Sequence, residues 1–87
     1  MTPIKVKMLH YNEDDNNEFK WKTQFINGDA ITSMYIGDAE EVEGEEVKCY
    51  EVVCGVEFLS LKPEQHLYQF LFDRFINKAI KAKQNER

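Results

Sequence analysis

The sequence predicts an α+β fold, a four-stranded antiparallel β-meander with one C-terminal α-helix packed on one sheet face, and three observations predict it. The run Phe19-Lys20-Trp21-Lys22-Thr23-Gln24-Phe25 alternates aromatic and polar side chains, the period of a strand with two unlike faces. Ile4-Lys5-Val6-Lys7-Met8 alternates in the same way. From residue 67 onward the apolar residues change to helical spacing.

Strand one runs Ile4 to Tyr11, with Ile4, Val6, Met8 and His10 facing the expected core and Lys5, Lys7, Leu9 and Tyr11 facing away. Residues 12–17 are all Asn, Asp or Glu, which satisfy their own backbone in turns, so they read as a connecting loop. Strand two, Glu18 to Ile26, is expected to bury Phe19, Trp21 and Phe25. It ends at Asn27-Gly28, a pair that accepts positive φ and closes tight hairpins.

Strand three spans Ala30 to Ile36. Its alternation leaves the buried side open, with Met34 the preferred inward residue. Gly37 to Glu46 holds two glycines and six acids and reads as an exposed loop. A long fourth strand, Val47 to Leu59, puts Tyr50, Val52, Cys54, Val56 and Phe58 on one face, with Gly55 marking a bulge.

Pro63 suits a first helical turn, and Glu64 suits the positive end of the helix dipole. The helix is expected to run to about Lys83. At about 100° per residue, Leu67, Tyr68, Leu71, Phe72, Phe75, Ile76 and Ala79 form one apolar stripe. Phe70 lies about 155° from the centre of that stripe and faces outward.

The 87 residues suit a single compact domain over 1–87, with a frayed end near 84–87. A net charge of −5 disfavours nonspecific DNA binding by the whole molecule. No signal peptide and no apolar run long enough to cross a bilayer are evident, so a cytoplasmic, soluble protein with reduced thiols is expected. Cys49 and Cys54 point to opposite faces of one strand and cannot share a zinc ion. Counted from Asp38, the acidic stretch has Glu43 sixth and Cys49 twelfth, where a calcium loop needs Gly and Glu. No nucleophile–base pair and no phosphate-cradling glycine loop are present. The sequence therefore points to a non-enzymatic protein with no cofactor and no metal.

Three surfaces remain as candidates for binding. The outward side of the helix offers Phe70 ringed by Arg74 and Lys81, an aromatic within a polar rim. The acidic stretch offers Glu40, Glu41 and Glu43, with Tyr35 nearby on strand three. The uncovered sheet face is expected to display Lys5, Lys7, Lys20 and Lys22 together. The expected function is interaction with another protein, as a regulator or inhibitor. Basic nucleic-acid-handling enzymes are the natural targets of its acids, and the composition suits a phage or bacterial accessory protein. The alternative is RNA or single-stranded DNA binding by the four lysines. Its aromatics would then have to stack from the same face, which only Tyr11 and Tyr35 can do. Self-association through the open face is compatible with either.

Overall fold

A computed structural model describes residues 2–12 and 18–77. Its fold is α+β, a five-stranded antiparallel sheet with one C-terminal helix. The strands are β1 (Pro3–Asn12), β2 (Glu18–Asn27), β3 (Ile31–Val42), β4 (Glu45–Cys54) and β5 (Glu57–Leu61). Helix α1 (Gln65–Leu71) continues as a π-helical segment, Phe72–Asn77. Across the sheet the order is β2-β1-β5-β4-β3.

The fifth strand arises where one long strand was expected. Gly55 has φ +64°, and Cys54 pairs directly with Glu57. A left-handed first turn residue followed by an ordinary one is the two-residue hairpin geometry that glycine permits. The reversal resets the alternation, so Leu59 and Leu61 face the core while Val56 and Phe58 are 96% and 84% exposed. Tyr50, Val52 and Cys54 pack on the core as the alternation requires.

The expected acidic loop is also strand. β3 extends through Val42, β4 begins at Glu45, and Glu43 and Gly44 both take positive φ, +50° and +84°. Positive φ at both central residues is the turn whose twist matches its flanking strands. The composition suggested a loop, yet Val42 and Cys49 are each only 1% exposed and anchor the hairpin.

Asn27-Gly28 does not close a hairpin, because β2 and β3 lie at opposite edges of the sheet. Asn27 is extended, and its side chain accepts a hydrogen bond from the Asp29 N–H at 3.0 Å, capping a 3-10 turn over Gly28–Ala30. Gly28 serves packing instead. A Cβ there would stand 2.6 Å from both Ile4 Cδ1 and Phe70 Cζ.

The core holds Ile4, Val6, Ile26, Ile31, Val52, Leu59, Leu61, Leu67 and Leu71, with Met34 and Phe70 packed against it. Ile4, Val6 and Met34 thus face inward as read from the sequence. The aromatic face of β2 does not. The β1–β2 register pairs Ile4 with Ile26 and Lys5 with Phe25, and directly opposed residues of an antiparallel pair share a face. Burial of Ile4 and Ile26 therefore sends Phe19, Trp21 and Phe25 to the outer face, where Phe25 is 68% exposed.

β1 meets β5 through a single ladder pair, Met8 with Leu61, next to a 2.8 Å bond from Lys62 N–H to the Lys7 carbonyl. Beyond it α1 takes over the free edge of β1: His66 Nε2 lies 2.6 Å from the Lys5 carbonyl. The sheet also twists strongly, as right-handed strands do. At one end Cys54 Sγ reaches the Asn27 carbonyl at 3.6 Å, and at the other Glu18 and Phe19 share a hollow with Glu41, Glu43 and Gly44.

Candidate protein-docking surface

The helix side is the first candidate that the structure alters. Phe70 does not face outward. It packs against the core and over Gly28, because residues 67, 70 and 71 together meet the sheet. The true contact stripe is rotated toward Phe70 from the predicted one, which leaves Tyr68 and Ile76 43% and 46% exposed. Arg74 is likewise engaged within the fold. Its guanidinium donates to the Gly28 carbonyl at 3.1 Å and the Asp29 carbonyl at 3.0 Å, binding the helical C-terminal part to the 3-10 turn. Lys81, Ala79 and the expected helix end at Lys83 lie outside the described residues.

The four-lysine face is also divided. Lys5 and Lys7 stand opposite Phe25 and Thr23, whereas Lys20 and Lys22 stand opposite His10 and Met8. The first pair is on the outer face with the aromatics and the second is on the core-facing side. They do not form one cationic surface.

The β3–β4 hairpin keeps its predicted residues together. Glu40, Glu41 and Glu43 are exposed at its far end, joined there by Asp38, Glu45 and Glu46. Tyr35 is 65% exposed on the outer face, opposite Glu51. Between residues 31 and 54 the hairpin carries seven acids and one lysine, a formal charge of −6, so the remainder of the chain is close to neutral. The negative charge of the molecule is concentrated in this one element.

Two bulges shape β3. Register shifts fall between Ile31 and Ser33 and between Ile36 and Ala39, each adding one residue on β3 relative to β4. At the second, Gly37 lets the Glu51 carboxylate lie close, since a Cβ would come 2.8 Å from Glu51 Oε1. Ser60 Oγ donates to Glu51 Oε2 at 2.5 Å and fixes it on the outer face.

Sequence reading placed Val53 on the open face with Tyr35 but missed Ile36, 62% exposed on the side of Tyr50, and Phe58, which sits opposite Val53 on the outer face. Phe58, Val53 and Tyr35 are the apolar residues that β5, β4 and β3 bring to that face. The signal was Gly55. Taken as a turn rather than a bulge, it sends Phe58 outward.

Beneath the hairpin surface lies Cys49. Burial raises its thiol pKa above the ordinary cysteine value, and Glu51 and Glu40 push it further in the same direction. Because the folded value is the higher one, this group's contribution to stability is complete below the unfolded thiol pKa and is lost as pH rises through the folded value. Alkylation at mildly alkaline pH should therefore modify half-buried Cys54 first and Cys49 only after denaturation. Peptide mapping of iodoacetamide adducts checks this, and rapid native labelling of Cys49 would contradict it.

Among the described residues no group of three or more His, Cys, Asp or Glu side chains is arranged to hold a metal ion, and no helix is long and apolar enough to cross a membrane. Compared with known protein families, curated proteins and solved structures, the chain matches none of them.

Proposed function

We propose that this chain is a small non-enzymatic binding protein, a regulator or inhibitor, that docks through its β3–β4 hairpin onto a basic surface of another protein. One observation carries the reading: a charge of −6 is gathered on a single hairpin that also exposes Tyr35 and Ile36. Concentrated charge of one sign steers a partner of the opposite sign and fixes its orientation, and exposed aromatic and aliphatic residues supply the desolvated anchor. Proteins that handle nucleic acids carry basic grooves of the required sign and are the favoured class of partner. A phosphate backbone would instead be repelled from this hairpin.

Affinity capture from lysate tests the proposal with the wild-type chain and with the triple variant Glu40→Lys, Glu41→Lys, Glu43→Lys. All three positions are exposed, so the far-ultraviolet circular dichroism should be unchanged. The specific partner should be lost from the variant, and wild-type capture should weaken with salt. Equal capture by both proteins would overturn the proposal.

A further inference from the structure

We infer that β3 is a strand acceptor: an extended segment of the partner, basic at its N-terminal end and apolar after it, adds antiparallel to the edge of β3 that no strand among the described residues pairs with. This rests on the docking reading and specifies how the partner engages.

The two edges of the sheet differ in character. β2 carries Lys20, Lys22, Thr23 and Gln24 along its length, the charged and polar dressing that discourages strand addition. On β3 the stretch Ser33–Ile36 lies between the two bulges in regular register, and its Tyr35 and Ile36 are both well exposed on opposite faces. A strand added beside it would cover apolar side chains on both faces and satisfy backbone groups at the edge, which is the physics of β-augmentation.

The same strand also states the chemistry of its occupant. Following Tyr35 and Ile36 come Asp38, Glu40 and Glu41. An antiparallel segment must place cations opposite these acids first and apolar residues opposite Ile36, Tyr35 and Met34 afterwards, since opposed charges of opposite sign stabilise a pair and like charges destabilise it. A second copy of this chain fits less well, because antiparallel pairing along the whole of β3 would set Asp38, Glu40 and Glu41 opposite Tyr35, Ser33 and Thr32 and bring no cation to the acids.

The test uses the full chain labelled with nitrogen-15 and the blocked peptide Lys-Lys-Thr-Lys-Thr-Val-Tyr-Val. Two controls are the same peptide in reversed order and a version with Glu in place of each Lys. The first peptide should give saturable amide shifts concentrated in residues 32–42 and slow amide exchange there. Both controls should bind at least about tenfold more weakly, given three cross-strand charge pairs lost or reversed. Absence of a response at β3, a response centred on β2, or equal affinity for the reversed peptide would overturn strand addition. So would sedimentation showing a dimer of the free chain that the peptide cannot disperse. If the triple glutamate variant loses its captured partner while β3 ignores the peptide, strand addition fails and acidic docking stands.

Discussion

Leu61→Ala is expected to lower unfolding stability by about 2–5 kcal/mol, the range for truncating a fully buried leucine, in urea titration. Leu61 is 0% exposed and occupies the junction of the fold. It pairs with Met8 on one side and Tyr50 on the other, so the β1–β2 hairpin joins the remaining sheet at this residue. Few backbone bonds bridge that seam, and side-chain packing must hold it. Truncation leaves a cavity at the point where the two parts of the sheet meet. Loss of less than about 1 kcal/mol, well below the range for such sites, would mean that the hairpin is held elsewhere.

Gly28→Ala is expected to cost about 1–3 kcal/mol by overpacking. The added methyl would stand 2.6 Å from Ile4 Cδ1 and from Phe70 Cζ, one on the sheet and one on the helix. Neither neighbour has room to withdraw freely, because Ile4 is in the core and Phe70 is packed against it. The Arg74 bonds to the carbonyls of Gly28 and Asp29 hold the same turn from the helical side. Adding Phe70→Leu should recover part of the loss, so that the two changes are less than additive. Strict additivity would place the strain elsewhere.

Both sites show where sequence pattern was informative and where it was not. Alternation in β1 and from Tyr50 to Cys54 in β4 reported the buried side correctly, because Ile4, Val6 and Met8 and then Tyr50, Val52 and Cys54 keep the period of the strand without interruption. In β2 the largest aromatics misled. The pairing register with β1 selects the inner face, and Ile26 outranks Phe25 because it stands opposite Ile4. Asn27-Gly28 carries the signature of a tight turn, yet Asn27 caps a 3-10 turn and Gly28 makes room for the helix. No local pattern distinguishes those uses, since the second depends on Phe70, which is remote in sequence. Gly55 and Gly44 took the opposite course. Their sequence context suits a bulge and a loop, and each supplies the positive φ that closes a hairpin.

The candidate surface was legible in part for the same reason. Solvated acids at Glu40, Glu41 and Glu43 are exposed in either a loop or a hairpin, so their exposure did not depend on the fold. Phe70, Arg74 and the grouping of Lys5, Lys7, Lys20 and Lys22 did depend on it. Helical phase and strand register decide those positions, and an error in either reverses the face.

Amide hydrogen exchange on the chain alone and in its captured complex tests the central claim most directly. The docking account predicts new protection concentrated in residues 32–46, on β3 and the turn it forms with β4. Protection centred on α1 or on β2, with β3 unchanged, would contradict it.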